Sequence, residues 1–302
     1  MRLVVAGGTG FIGCALRARL REKSHALTIL TRTQSSRAQA TNEEWITWEP
    51  LAGKAPVAAV DGTDGIINLA GEPIVGKRWT ASQKEKLRAS RIATTRALVD
   101  AVAEAKVKPK FLINGSAVGY YGPHGDETVS EETRPGSDFL SRLCVEWETE
   151  ANKATQHDLR VVLLRTGIVL GRGGGALAKM VPPFKFFAGG PLGSGKQWMP
   201  WIHMEDEVGL ILFALENRSA TGPFNATAPK PVTMREFCAT LGKVLGRPSW
   251  APVPAFALKA LLGEMADMLL TGQRAVPERA QKLGYKFRYP SLSEALQACM
   301  PL

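Results

Sequence analysis

The sequence predicts an α/β fold: a doubly wound parallel sheet followed by a small, mostly helical C-terminal cap. Two observations predict it. Apolar runs alternate with helical stretches over the first two-thirds of the chain, the pattern of parallel strands covered by helices on both faces. Beyond residue 226 helical patterns dominate, with Pro248, Pro252 and Pro254 separating the first two.

The elements follow in order. Leu3-Val4-Val5-Ala6 reads as a buried strand that stops at a glycine cluster, and a helical pattern starts at Phe11 and runs through Ala15, Leu16 and Leu20. Further strands are expected at 27–30, 65–69, 111–114 and 161–164, with helices at 82–102 and 140–154. Residues 171–203 are rich in Gly, Pro and aromatics and read as a long functional loop rather than regular structure. A helix is expected at 205–215, and Gly222-Pro223-Phe224-Asn225 reads as a turn. The tail is expected to be helical at 234–245, 256–270, 277–283 and 292–298. This divides the chain into a domain of residues 1–225, with a substrate-loop segment at about 172–200, and a small domain of residues 226–302.

Composition narrows the function classes. The 302 residues are 45% apolar and 22% charged, which suits a globular chain with a sizeable core. The net charge of +10 is spread along the chain without a block of like charges, and neither zinc-finger spacing nor a basic region with heptads is present. Nucleic acid is therefore not expected as a partner, and the charge reads as solubility plus local phosphate binding. Cys14, Cys144, Cys238 and Cys299 form no CxxC pair and read as reduced thiols of a cytoplasmic protein. No apolar run is long enough to span a bilayer, so no membrane partner is expected. The four histidines lack ligand spacing, and no metal is expected.

The opening stretch MRLVVAGGTGFIG carries the most specific signal. Strand, glycine turn and helix in that order form the front of a Rossmann-type dinucleotide-binding unit. Gly7 allows the tight turn, Gly10 lets a pyrophosphate approach the backbone, and Gly13 lets helix and strand pack closely. Thr9, Phe11 and Ile12 complete the turn, whose N–H groups face the phosphates. The alternative is an ordinary strand-to-helix turn. The next strand ends in Thr31-Arg32, where an acidic residue would favour NAD by accepting from a ribose 2′-hydroxyl. Arg32 instead offers a guanidinium to a 2′-phosphate, with Thr31 as hydroxyl donor and Arg37 as a further cation. The expected cofactor is NADP, unless Arg32 is simply a solvated surface residue.

GGTGFIG resembles the fingerprint of the extended short-chain dehydrogenase/reductases. Asn68-Leu69-Ala70-Gly71, the segment 164–171 (LRTGIVLG) and Trp201-Ile202-His203-Met204-Glu205-Asp206 resemble its downstream motifs. Over essentially the whole chain, NLAGEPI, SRIATTRAL, GRGGGALAKM, GGPLGSGKQWMPWIH, FNATAP and GEMADMLLTGQR resemble the atypical "epimerase family protein" branch, which has its own C-terminal domain of unknown role. That resemblance implies NADP binding and a cofactor lining of Thr31, Arg32, Leu69, Ala70, Lys86, Arg91 and Val169. Lys86 and Arg91 also make sense as cations on the helix at 82–102, where a solvated face is the alternative for Lys86.

The catalytic set of the superfamily is missing. Its tyrosinate acts as base with a lysine four residues later. Here the residues four after Tyr120, Tyr121, Tyr285 and Tyr289 are His124, Gly125, Tyr289 and Ser293. Counting back from Arg165 puts Arg142 in the lysine position, Asp138 in the tyrosine position and Glu146 at the end of the motif. Ala117 falls where the catalytic hydroxyl is expected, with Ser116 one residue early. Tyr121 and Arg142 remain the candidates, beside Tyr120, Ser116 and Asp138, against packing at a strand-to-loop corner. His203 has the right type for acid–base work, but its motif favours a structural hydrogen bond. In the long loop, glycines beside Arg172, Lys179, Lys185 and Lys196 suit an anion, and Trp198 and Trp201 suit a ring. Two readings result: an oxidoreductase or epimerase-like enzyme on a small carbonyl or nucleotide-sugar substrate, or a catalytically silent NADP(H)-binding redox sensor or scaffold.

Overall fold

The structure, a computed structural model, describes residues 1–32 and 42–300. The chain begins with β1 (Arg2–Ala6), α1 (Phe11–Glu22), β2 (Ala26–Thr31), β3 (Glu43–Thr47), α2 (Val57–Val60), β4 (Gly65–Asn68) and α3 (Ala81–Glu104). It continues with β5 (Phe111–Ala117), β6 (Thr128–Val129), α4 (Phe139–Asn152), β7 (Arg160–Thr166), β8 (Ile168–Leu170) and α5 (Leu177–Lys185). Next come β9 (Trp198–Met199), β10 (Trp201–His203), α6 (Met204–Glu216), β11 (Gly222–Ala226), β12 (Val232–Thr233) and α7 (Met234–Leu245). The tail adds α8 (Ala255–Leu262), α9 (Met265–Leu270), β13 (Arg274–Ala275), α10 (Glu278–Lys282) and α11 (Leu292–Cys299).

Seven strands form one sheet in the order β11-β7-β5-β4-β1-β2-β3, and every pairing in it is parallel. The chain moves outward from β1 through β2 to β3, then returns to place β4 on the other side of β1. That reversal opens a crevice at the carboxyl ends of β1 and β4. β1 shows why the sheet is buried on both faces: Leu3 and Val5 join one apolar cluster with α1 and α6, while Val4 and Ala6 join another with α3. A third core is shared between the segment after β7 and the tail. Leu177 and Phe184 of α5 and Trp201 of β10 pack with Phe237 and Leu241 of α7 and Leu296 of α11.

Three expectations are corrected, and one strand was not anticipated. Residues 43–47 form a strand that the pattern hid, because EEWIT has two carboxylates. Glu43 is tolerated there because Arg17 of α1 holds it, at 3.1 and 2.6 Å. Gly222-Pro223-Phe224-Asn225 is not a turn but most of the edge strand β11, where a proline's missing N–H costs nothing on the unpaired side. The long loop holds regular structure: α5, and β10 paired in parallel with β8. The helix expected at 256–270 is broken at Gly263, whose φ of +61° ends α8.

The glycine turn is built by steric necessity. Gly7 has φ +80°, and a Cβ there would lie 2.6 Å from the backbone carbon of Leu69, where the chain leaves β4. A Cβ on Gly13 would collide with the carbonyl oxygen of Gly7. Gly13→Ala is therefore expected to lower stability by about 1–3 kcal/mol through overpacking, read as a lower urea midpoint. An unchanged midpoint would show that the turn can give way.

Candidate functional site

The crevice begins where β1 meets α1. Gly10 caps α1 without a side chain, and the amides of Phe11, Ile12 and Gly13 have no acceptor among the described residues. Three free N–H groups at the positive end of a helix form a ready anion seat. An open cleft of about 500 Å³ lies beside it, lined by Thr9, Gly10, Phe11, Cys14, Ala15, Arg172 and Met204. Such a seat fits the pyrophosphate of a dinucleotide: it is free, it is positive, and its glycine backbone admits close approach.

Most of the expected cofactor residues are brought to this edge. Leu69 and Ala70 lie against Gly7, with Leu69 N–H donating to Ala6 O at 2.9 Å. Thr31 is buried at the end of β2, and Arg32 is exposed just beyond it. The Glu72 carboxyl is held low, first by its hydrogen bond to Lys77, with the Arg32 charge also contributing. Arg37 lies outside the described residues. Val169 is buried in β8, and its carbonyl faces Gly175 beside the Phe11 ring. Lys86 is on the exposed face of α3. Arg91 is buried, and burial pulls its guanidinium down to about 10. Its N–H groups donate to Leu87 O at 3.0 Å and Glu72 O at 3.1 Å, so it ties the loop after β4 to α3.

The catalytic candidates are engaged in hydrogen bonds within the fold. Tyr121 is fully buried; its hydroxyl donates to Asn225 Oδ1 at 2.6 Å and accepts from Arg165 Nη1 at 3.0 Å. Burial pushes it up to about 12, which removes it as a base near neutral pH. Ser116 donates to Glu148 Oε1 at 2.6 Å. Asp138 caps α4 by accepting from Ser141 N–H at 2.7 Å. Arg142 lies on the solvent side of α4 and bonds the carbonyl of Ser137. The α4 carboxylate that reaches β7 is Glu148, while Glu146 faces outward and pairs with Arg88 at 2.7 Å. One turn before Glu148 the inward residue is Cys144, and burial pushes that thiol up to about 12.

Arg165 and Glu148, missed as a pair, are both nearly inaccessible and joined at 2.8 and 2.9 Å. Burial works against the Arg165 charge, but Glu148 and Tyr121 hold it above its ordinary value. Its guanidinium also stacks 3.5 Å from the Tyr120 ring centroid. A charge inside the apolar strand VVLLRT was the available signal, because a buried arginine requires a partner. His203 is structural as expected: Nδ1 accepts from Glu205 N–H at 3.2 Å, and burial lowers the ring to about 4. Glu207, also missed, is fully buried in α6. Oε1 accepts from Thr166 Oγ1 at 2.8 Å and Oε2 has no partner among the described residues; burial raises the carboxyl to about 8.

Residues 3–226 match the NAD dependent epimerase/dehydratase family, and residues 253–299 match a domain of unknown function, DUF1731. The chain belongs to the NAD dependent epimerase/dehydratase family. Its relatives share both parts. The chloroplastic epimerase family protein SDR39U1 homolog of Arabidopsis thaliana is 46% identical, over 99% of this chain and 87% of its own length. The epimerase family protein YfhF of Bacillus subtilis is 40% identical, over 98% of this chain and 97% of its own. Human epimerase family protein SDR39U1 (isoform 2), crystallised with NADPH, is 37% identical with a TM-score of 0.89, each chain covered to 99%.

Two outcomes test these assignments. Tyr121→Phe leaves Asn225 Oδ1 and one Arg165 donor without their partner, so it should cost about 1–2 kcal/mol in urea unfolding. Glu207 keeps its proton in the folded protein up to about 8, whereas an unfolded chain releases it near its ordinary value. The resulting stability is complete below that ordinary value and disappears as pH rises through about 8. Glu207→Gln, which mimics the protonated form, should gain on the parent protein by about 1–3 kcal/mol between about pH 5 and pH 8.5. Parallel melting curves across that range would exclude it.

Proposed function

We propose that this chain binds NADP(H) across the crevice and uses it in a redox reaction on a small carbonyl or nucleotide-sugar substrate. The observation that carries the reading is the uncapped amide seat at Phe11–Gly13, with Arg32 where a 2′-phosphate would lie. The NADPH of the human relative supports it. In this reading the pyrophosphate rests on the amides of the glycine turn, Leu69 and Ala70 flank it, and Arg32 with Thr31 selects the 2′-phosphate. Val169 closes the nicotinamide side. Bound NADPH supplies a hydride. The protein's part is to orient the cofactor, because Tyr121, Ser116 and Asp138 have their hydrogen bonds committed elsewhere. Four unpaired thiols, three of them buried, suit work in the cytoplasm. No described helix is long and apolar enough to cross a membrane.

A second reading is a catalytically silent NADP(H) sensor. It is favoured by the commitment of Tyr121 to Asn225 and Arg165. NADPH consumption over a panel of carbonyl compounds and nucleotide sugars separates the two. Turnover supports the enzyme, while tight binding without turnover supports the sensor.

The cofactor choice has its own test. Losing the charge-assisted contact in Arg32→Ala should weaken NADPH by roughly tenfold or more while leaving NADH nearly unchanged. Equal affinity of the parent protein for both cofactors would remove the NADP assignment.

A further inference from the structure

The long segment after β8 does more than approach a substrate. Its first side chain, Arg172, lines the same cleft as Thr9, Gly10 and Phe11, beside the amides that no described residue engages. The placement is enforced by packing. The Phe11 ring lies against Gly171, Gly174 and Gly175, where a Cβ would come 2.9 Å from it at Gly171 and 2.8 Å at Gly175. The backbone on both sides of Arg172 is thereby held to the glycine turn.

The guanidinium is held from the other direction by the tail. Its Nε donates to Ala298 O at 2.9 Å and its Nη2 to Met300 O at 3.2 Å. These carbonyls end α11, where the helix leaves acceptors unpaired and its dipole is negative. Arg172 has no carboxylate partner among the described residues, so its charge is not neutralised by a side chain. A guanidinium offers five N–H groups, and the bonds to α11 leave others free for the cleft.

We propose that Arg172 binds the cofactor's pyrophosphate, and that α11 of the C-terminal region is the positioning element that aims it. The inference rests on the NADP(H) reading and deepens it: the C-terminal region acquires a role in cofactor affinity without touching the cofactor. The ligand chemistry is a diphosphate diester, common to NADPH and NADH. The 2′-phosphate belongs to Arg32.

That division defines the experiment. NADPH and NADH are titrated by nucleotide fluorescence against the parent protein, Arg172→Ala and Arg32→Ala, with circular dichroism confirming that each is folded. Arg172→Ala should weaken both cofactors alike, by roughly tenfold, the loss expected for a charge-assisted contact. A loss confined to NADPH would move Arg172 to the 2′-phosphate and overturn the proposal, as would unchanged affinity for both. A parent protein that binds neither cofactor would instead sink the underlying reading. In the unmutated protein, NADPH should slow amide hydrogen exchange in residues 292–299, because engaging Arg172 tightens its hold on the end of α11. No change in that helix would overturn its positioning role.

Discussion

The buried ion pair between Arg165 and Glu148 is the interaction on which the β5–β7 side of the sheet depends. It joins β7, next to the edge strand β11, to α4. Removing either member would strand a charge where water cannot reach it, which costs far more than the pair contributes. From this pair the network spreads to Ser116, Tyr120 and Tyr121, and through Asn225 and Glu131 to the tail. Asn225 donates to Val276 O at 2.9 Å, and Glu131 accepts from the amides of Asn225 and Arg279. Side chains that would be reactive in an open site are therefore part of the joint between sheet and tail.

That joint has a counterpart at the glycine turn. There the tail meets the sheet through Arg172, and the turn itself is closed by backbone contacts that tolerate no Cβ. A cofactor lying along the carboxyl edge would span the distance between these two junctions. Affinity and tail docking are then linked quantities, since whatever orders one end of α11 changes the guanidinium presented to the cleft.

Much of the fold was legible in the sequence because it rests on period and punctuation. β1, α1, the central strands and α7 follow from apolar spacing and from the glycines that bound the first of them. What stayed hidden depended on partners remote in sequence. EEWIT looks polar until Arg17 neutralises Glu43, and Gly-Pro-Phe-Asn looks like a turn until β7 pairs with one side of it. The glycine seat was readable for the same local reasons. The partner of Arg165 was not, because Glu146 and Glu148 are indistinguishable by type. Only the packing of α4 shows which one faces Arg165. Glu207 was equally hidden, one carboxylate among three in the first turn of α6.

The shared third core has an evolutionary consequence. Its residues come both from the segment around α5 and β10 and from α7 and α11, so neither stretch encloses a complete interior. The tail is thus not a module that can be traded between relatives by recombination near residue 226. A hybrid would inherit half of one interior and half of another, with mismatched side-chain volumes along their seam. Lineages carrying this architecture should therefore change both stretches together or neither.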